Sequence, residues 1–235
     1  MNKILEKYSV PFAIIIAGLF VAGAVLIGKF YNPKSQLADV SKGVYGDTEE
    51  DTPYLNALPV TDADHIFGNK DAEIKVVTYA DMECPYCISF ESTMRSVVEQ
   101  YDGKVAWVYR HFPLDFHVNA MPAAVAAECV SDSKGEESFW QFMSKFAFQS
   151  EASSGDEKID VKAIALSLGV DANAFDTCYS SNKFANKITD DANNGFEAGL
   201  EGTPYSVVFA DNKPVGTIDG AYPLEDVKAT IDSYL

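Results

Sequence analysis

Residues 74–87 read Ile-Lys-Val-Val-Thr-Tyr-Ala-Asp-Met-Glu-Cys-Pro-Tyr-Cys, an apolar run followed closely by a cysteine pair. The segment 74–80 is rich in β-branched and aromatic residues, which is typical of a buried strand. Beyond the pair, apolar residues recur at helical spacing at Phe90, Met94 and Val97. The two cysteines are therefore predicted to lie where a buried strand leads into a helix.

The Cys-x-x-Cys spacing at this junction suits thiol–disulfide exchange. Pro85 is compatible with the first helical turn, because it lacks the N–H group that would be left unpaired there. Cys84 would then lie at the helix N-terminus, where free N–H groups and the helix dipole stabilise a thiolate. Cys87 follows one turn later and could resolve a mixed disulfide. We therefore predict Cys84 as the nucleophile and Cys87 as the resolving cysteine.

Two other uses of this pair remain open, half of a zinc site and a purely structural disulfide. The other two cysteines form no second close pair, and the three histidines, at positions 65, 111 and 117, lack a ligand spacing. We accordingly expect no metal and no cofactor.

The remaining pattern predicts an α/β fold. Strands are expected at 105–112, at 206–210 and around 215–218, and Pro214 places the last of these at a sheet edge. A helical insert fills about 115–200, between the second and third strands. One of its helices has apolar residues four apart, namely Phe184, Ile188, Ala192, Phe196 and Leu200. A last amphipathic helix, with apolar residues between Leu224 and Leu235, ends the chain.

Cys129 and Cys178 both fall in the helical insert. If Cys84 and Cys87 are a redox couple, elimination leaves Cys129 and Cys178 for a structural disulfide. Such a bridge would close a loop of about 50 residues and contribute roughly 4 kcal/mol by the loop-entropy argument. An oxidising compartment favours the bridge, and two buried free thiols are the alternative.

The N-terminal region has a different character. No charged residue occurs from 8 to 28, and about 20 apolar residues suffice to span a bilayer. We predict a signal anchor that forms a transmembrane helix at 1–30, a polar tether at 31–58 and a folded domain at 59–235. A signal peptide cleaved after Ala24 is the alternative, since Ala22-Gly23-Ala24 has the small-x-small form.

Composition narrows the classes of function. The chain has 235 residues, 47% of them hydrophobic, which excludes disorder throughout. Lys and Arg number 18 against 35 Asp and Glu, a net charge of −17, so nucleic-acid binding is not expected.

From about residue 58 to residue 235 the chain resembles the DsbA-like thiol:disulfide oxidoreductases of the thioredoxin superfamily. The motifs that carry the resemblance are Asp-His-Ile-Phe-Gly-Asn at 64–69, the segment 79–87, Phe-Pro-Leu at 112–114 with His117, the Ala-rich stretch 120–129, Phe-Trp at 139–140, and Gly-Thr-Pro at 202–204. The resemblance implies a thioredoxin fold with an inserted α-helical domain.

The resemblance also implies site residues beyond the cysteines. Pro204 enters a core strand, which a cis Thr203–Pro204 bond would permit. In relatives, such a proline packs against the cysteine pair, and the backbone of the preceding residue, here Thr203, holds the substrate peptide. Pro85 and Tyr86, inside the motif, complete the predicted support of the active site.

One position departs from the family pattern. Relatives often carry a buried acid six residues before the first cysteine, where it is thought to relay protons to the resolving thiol. Thr78 occupies that position here. Asp81 is a candidate for the relay, with a structural or solvent-facing acid as the alternative. His117 could approach the site, although a residue that begins a helix is the other reading.

We therefore expect a monomeric, membrane-anchored oxidase that faces the periplasm or cell exterior and oxidises reduced secreted or surface polypeptides. The resemblance implies reoxidation by a quinone-linked membrane partner. A disulfide isomerase or reductase is the main alternative, and a non-enzymatic metal-binding or chaperone module is another.

Overall fold

The computed structural model describes residues 52–153 and 157–235. The anchor predicted at 1–30 and the tether up to residue 51 lie outside the described residues. No helix within the described part is long and apolar enough to cross a membrane.

A mixed five-stranded sheet, in the order β1-β3-β2-β4-β5, forms the centre of the described part. Its strands are β1 (His65–Gly68), β2 (Ile74–Ala80), β3 (Val105–His111), β4 (Tyr205–Ala210) and β5 (Lys213–Asp219). The helices are α1 (Pro85–Gln100), α2 (Ala120–Lys134), α3 (Glu136–Ala152), α4 (Val161–Ser167), α5 (Ala172–Ser180), α6 (Ala185–Glu197) and α7 (Leu224–Asp232). Strands β2 and β3 are parallel, and the other neighbours pair antiparallel. The α/β class predicted from the sequence is confirmed.

The central strands are buried because both faces of the sheet are covered. Along β2, Ile74, Val76 and Ala80 belong to the larger apolar core, which also contains residues of α1 and the inserted helices. Val77 and Tyr79 belong to a second core on the opposite face. This double burial explains why adjacent positions of β2, such as Val76 and Val77, are both apolar instead of alternating with polar residues.

The edge position of the last strand is also confirmed. Strand β5 pairs only with β4, and the register shifts between Val208 and Phe209, opposite the stretch that contains Pro214. Pro214 has no N–H group to donate, so an edge strand is the place where the ladder tolerates it.

Among the residues that the structure describes between β3 and β4, five helices, α2 to α6, make the connection. A disulfide joins Cys129 on α2 to Cys178 on α5 across 49 positions of sequence, with Cα atoms 5.9 Å apart. Strand β1 and helix α5 were not predicted: β1 has four residues and α5 nine, too few for a clear periodicity.

The apolar pattern of α6 does not form a single buried stripe. Ile188 is fully buried, but Phe196 is 64% exposed. Four residues advance a helix by about 400°, so a strict four-residue repeat drifts about 40° per step around the axis. Met121 has the same four-residue spacing to Val125 and Cys129 on α2, yet it is also exposed, at 44%.

The folded unit begins at Thr52, before the predicted boundary at 59. Residues Pro53–Asn56 form a 3-10 turn, and Ala57 is buried in the second core. Leu58 N donates to Asn194 Oδ1 at 3.0 Å, and Asn56 Nδ2 donates to Glu197 O at 3.0 Å. Residues 52–58 therefore belong to the domain and cover the end of α6.

Candidate active site

The Cys84–Cys87 pair lies at the C-terminal end of β2, where the chain turns into α1. Cys84 is the N-cap of α1 with φ −67° and ψ 122°, and Pro85 is the first helical residue. Cys84 N donates to Asp81 O at 3.2 Å, and Ile88 N donates to Cys84 O at 3.0 Å. Both thiols are free and buried. The structure thus places the pair at the helix N-terminus, as the local sequence predicts.

The environment separates the acidities of the two thiols. The neighbouring Cys87 thiol lowers the pKa of Cys84 to about 5 against the opposing effect of burial, and the backbone N–H groups of Tyr86 and Cys87 and the nearby Thr203 side chain act in the same direction as Cys87. Burial, followed by the interaction with Cys84, raises the pKa of Cys87 well above its ordinary value. At neutral pH the reduced pair therefore holds one thiolate, on Cys84, and one thiol, on Cys87.

Thr203 and Pro204 lie against the pair, joined by a cis peptide bond. Cys84 Sγ is 3.7 Å from Thr203 O. The Thr203 hydroxyl is buried and has no hydrogen-bond partner within the described residues. Pro204 is buried, and its carbonyl accepts a hydrogen bond of 3.1 Å from Gly220 N. The loop before β4 thus places a backbone carbonyl and an unpaired hydroxyl beside the nucleophile.

Asp81 is a buried carboxylate that shapes the turn before Cys84. Its Oδ1 accepts from Glu83 N at 2.7 Å, and its Oδ2 accepts from Leu114 N at 2.9 Å. The Nδ1 atom of His117, a partly exposed residue, lies 2.8 Å from the same Oδ2. His117 and Asp81 thus connect the surface to the base of the active site.

A small cavity of about 10 Å³ lies next to Cys87, and Asp81 also lines it. Thr78 lines the same cavity and takes part in a hydroxyl network: its Oγ1 lies 2.8 Å from Ser206 Oγ and accepts from Trp107 Nε1 at 3.0 Å. Thr78 occupies the position at which relatives often carry an acid, and it links β2 to β3 and β4 through hydrogen bonds between uncharged groups.

Glu91 is a cavity residue that the sequence reasoning missed. It is buried, and its Oε1 accepts from Arg95 Nε at 2.9 Å and from Ser144 Oγ at 2.8 Å. It follows Cys87 by four positions in α1, so both side chains lie on one face of the helix and line the same cavity. The four-residue spacing from Cys87 was the feature of the sequence that could have indicated Glu91 as a residue near the active site.

A wider groove opens on the outer side of the pair, with a volume of about 420 Å³. Its lining residues are Tyr86, Thr203, Pro204, Asp219, Gly220, Ala221, Tyr222 and Pro223. Tyr86 is 70% exposed, so the residue between the two cysteines faces solvent. The groove therefore adjoins the Thr203–Pro204 bond and the residue that precedes Cys87.

Two of the three histidines converge elsewhere, on Glu128. The Nε2 atoms of His65 and His111 each lie 3.0 Å from Glu128 Oε1, and Lys187 Nζ lies 2.9 Å from the same oxygen. His65 Nδ1 also lies 2.8 Å from Glu136 Oε2.

This cluster does not fit a metal ion. The ligand atoms of His65, His111 and Glu128 lie within 4.8 Å of one another. Lys187, however, already brings a positive charge to the shared oxygen, and the two carboxylates together raise the pKa of His65 despite its burial. The sequence spacing did not show this convergence. The charged and polar groups of this cluster form an ion network that joins β1 and β3 to the inserted helices.

A thioredoxin-type sheet with a Cys-x-x-Cys pair at a helix N-terminus and a cis-proline beside it defines the class of this protein. Residues 60–233 match the thioredoxin family, and the chain belongs to it.

Solved structures give the subtype of the fold. α-DsbA1 from Wolbachia pipientis superposes with a TM-score of 0.65 at 22% identity, over 78% of this chain and 96% of that one. DsbA2 from Pseudomonas aeruginosa gives 0.63 at 22% identity, over 75% and 97%. BdbD from Bacillus subtilis gives 0.62 at 20% identity, over 76% and 96%. The predicted DsbA-like fold is confirmed.

Curated relatives are longer proteins. The Na⁺/H⁺ antiporter NhaA 1 of Salinispora arenicola is 30% identical over 73% of this chain, and NhaA 3 of Salinispora tropica is 33% identical over 73%. The chain spans only 25% of the length of each relative. The names of these relatives therefore refer to whole proteins, of which the shared region is a small part.

Proposed function

We propose that this protein is a thiol:disulfide oxidoreductase that oxidises cysteines of other polypeptides, with Cys84 as nucleophile and Cys87 as resolving cysteine. The observation that carries the proposal is the contrast between the thiols, with the pKa of Cys84 lowered to about 5 and that of Cys87 raised. A stabilised thiolate favours the reduced form of the pair and makes its disulfide oxidising.

The reaction transfers two electrons from the substrate to the pair. A substrate thiolate attacks Cys84 Sγ in the Cys84–Cys87 disulfide, a mixed disulfide forms, and Cys87 leaves as a thiolate. Because its pKa is raised, Cys87 then takes up a proton. A second substrate thiolate attacks the substrate sulfur of the mixed disulfide. The substrate disulfide forms and Cys84 leaves as a stable thiolate.

Asp81 is our candidate for the proton supply to Cys87. The two residues line one cavity, and His117 Nδ1 lies 2.8 Å from Asp81 Oδ2 and is partly exposed to solvent. A proton can therefore pass from the surface through His117 and Asp81 towards the resolving thiol without a long rearrangement. Asp81 acts in this proposal as a positioning and relay residue, since its own hydrogen bonds hold the turn before Cys84.

The remaining support residues have separate roles. Pro85 begins α1 and leaves the helix N-terminus open towards Cys84. Thr203 donates its unpaired hydroxyl to the Cys84 thiolate, and its backbone binds an extended substrate segment. Pro204 packs beneath that segment, and the exposed Tyr86 contacts it from the helix side.

In the cell, we propose that residues 1–30 anchor the protein, that the chain up to residue 51 is the tether, and that the domain works on the extracytoplasmic side as a monomer. Its substrates would be reduced secreted or surface polypeptides, and a quinone-linked membrane partner would reoxidise it. The DsbA-like fold supports an extracytoplasmic domain. Labelling of Cys84 by a membrane-impermeant maleimide in intact cells tests the orientation, and protection until lysis would contradict it.

The redox direction is tested by equilibrating the full chain with glutathione buffers. An oxidase is expected near the roughly −120 mV of DsbA, and a value near the roughly −270 mV of thioredoxin would instead support a reductase. An isomerase is distinguished from an oxidase and a reductase by the refolding of a protein with scrambled disulfides. Strong reshuffling of those disulfides would indicate an isomerase. The non-enzymatic alternative predicts two results. The cysteine pair would exchange with no thiol, and the purified protein would hold stoichiometric metal that is lost on Cys84→Ser.

A further inference from the structure

The groove beside the active site has two walls that are tied together. Tyr86 and the Thr203–Pro204 pair form one side, and residues 219–223 form the other. The Gly220 N–H donates to the Pro204 carbonyl at 3.1 Å and so links the two sides. Gly220 has φ +116°, a conformation that side chains rarely adopt, and it allows the sharp turn that follows β5. The groove is therefore built into the fold at the junction of two loops.

One charged residue, Asp219, lines this groove among apolar and aromatic neighbours. Asp219 is the last residue of β5 and is exposed. Within the described ranges it takes part in no salt bridge. Glu225 and Asp226, in the first turn of α7, are the next acidic residues along the chain, and Glu225 Oε1 lies 3.9 Å from Lys228 Nζ. The carboxylate thus lacks a cation from the domain itself.

Two tyrosines accompany the carboxylate. Tyr86 is 70% exposed and Tyr222 is 48% exposed, and each lines the groove from a different wall. The face of a tyrosine ring attracts a Lys or Arg head group, and the long apolar stem of either residue packs well on Pro and Ala surfaces such as Pro223 and Ala221. An anion and two aromatic rings in one groove form a combination suited to a cationic side chain.

We propose that this groove binds the side chain of a Lys or Arg residue that neighbours the reacting cysteine of a substrate polypeptide. The inference rests on the proposed function, because the polypeptide reaches the groove as a partner in exchange at Cys84. Cys84 Sγ lies 3.7 Å from Thr203 O, at the edge of the groove, so a segment bonded to that sulfur begins there. Asp219 is then a specificity-determining residue.

An apolar side chain of the substrate could also occupy the groove, but the charge of Asp219 disfavours it. Such a side chain would remove water from the Asp219 carboxylate without replacing it by a partner, which is unfavourable. A cationic head group replaces the lost water with an ion pair. An acidic side chain would be repelled by Asp219. The expected order of preference is therefore cationic, then apolar, then acidic.

The test measures mixed-disulfide formation in the full-length chain with Cys87→Ser, which stops the reaction after one step. The probes are peptides whose single cysteine carries an aromatic thiol as a disulfide, with Arg, Leu or Glu next to that cysteine. The Cys84 thiolate attacks the peptide sulfur, a new S–S bond forms, and the aromatic thiolate leaves as the coloured product. Its release gives the rate constant for each peptide.

Two further variants distinguish the effect of the carboxylate in the groove from the effect of the protein's net charge. Asp219→Asn removes the carboxylate in the groove. Asp211→Asn removes one negative charge at the opposite end of the β4–β5 hairpin, where the residue has φ 49°, a conformation that Asn tolerates. The two variants have the same net charge, so steering by the acidic surface as a whole affects both equally.

The Arg peptide is expected to react about fivefold faster than the Leu peptide and about tenfold faster than the Glu peptide, the range of one exposed ion pair with a cation–π contact. Asp219→Asn should bring the three rates within about twofold, and Asp211→Asn should keep the preference. Equal rates in the parent chain, a preference for Leu, or equal losses in both variants would each overturn the inference while leaving the exchange activity intact. If no peptide reacts, the proposed function fails, and the inference fails with it.

Discussion

Thr203 and Cys84 are 119 positions apart in the sequence, yet the Cys84 sulfur lies 3.7 Å from the Thr203 carbonyl. The Thr203 hydroxyl is buried beside this contact, without another partner in the described part of the chain. A carbonyl cannot stabilise a thiolate, but a hydroxyl that is free to turn towards it can. The loop before β4 thus supplies a donor that becomes useful when Cys84 ionises.

Replacing Thr203 by Val removes this donor while keeping the β-branched shape. We expect the pKa of Cys84 to rise from about 5 by about one unit, because a hydrogen bond to a charged group is worth about 1.5–3 kcal/mol. Thiolate absorbance as a function of pH gives the value, and alkylation by iodoacetamide should show the same midpoint.

Thr217→Val, in the edge strand β5, is the matched control and should leave the pKa of Cys84 unchanged. An unchanged midpoint in Thr203→Val would show that backbone N–H groups and Cys87 alone stabilise the thiolate.

Asp81→Asn tests the relay to Cys87. The variant keeps an oxygen acceptor for the turn before Cys84 but cannot carry a proton between His117 and the cavity. We expect substrate oxidation to slow by about tenfold or more, with a steeper dependence on pH, because positioned proton transfer contributes about 10²–10⁴ in rate. Stopped-flow measurements at several pH values give this profile.

A merely structural role for Asp81 would give a different result. Loss of the turn would change the equilibrium redox potential and the pKa of Cys84 as well as the rate. His117→Gln provides the second variant, since it leaves Asp81 in place and interrupts only the path to solvent. A normal rate in both variants would remove Asp81 and His117 from the mechanism.

The Cys129–Cys178 disulfide is expected to contribute to stability and not to exchange. It closes a span of 49 positions, for which the loop-entropy argument gives roughly 4 kcal/mol. The double variant Cys129→Ala/Cys178→Ala should lower the free energy of unfolding in urea by about 2–5 kcal/mol while Cys84 still reacts. Cys84→Ala/Cys87→Ala removes a pair whose thiols are free and are separated by only two residues, so it should have a smaller effect on unfolding. The reverse order would contradict this assignment.

The ion network at Glu128 predicts how stability changes with pH. The pKa of His65 is raised above 6.5, because its hydrogen bonds to Glu128 and Glu136 outweigh the cost of burial, which is the largest single effect and acts in the opposite direction. The folded state therefore binds this proton more tightly than the unfolded state. The resulting stability is fully present below pH 6.5 and is lost as the pH rises through the pKa of the folded state.

Urea unfolding from about pH 6 to about pH 9 measures this effect. Relative to Glu136→Gln, which keeps a hydrogen-bond acceptor near His65 but removes a charge, the parent chain should lose stability as the pH rises. The comparison is needed because His111, present in both proteins, has a lowered pKa and acts in the opposite direction. Parallel curves for the two proteins would show that His65 does not change its protonation over this interval.

Local sequence determined the parts of this protein that depend on neighbours along the chain. The apolar run of β2, the helical spacing of α1 and the proline after Cys84 place the thiols at a helix N-terminus without reference to the rest of the molecule. Strand β5 was placed at the sheet edge for the same kind of reason, because Pro214 lacks a donor.

Tertiary structure decided which distant side chains meet. Thr203 reaches Cys84, and Asp219 reaches the groove that Tyr86 lines, because the order and register of the strands bring their ends together. His65 on β1 meets Glu128 through the packing of α2 against the sheet. Periodicity reports which face of an element is buried, but it carries no information about which other element covers that face. The chemistry of a single thiol could therefore be read from 14 consecutive residues, at 74–87, whereas its environment required the folded chain.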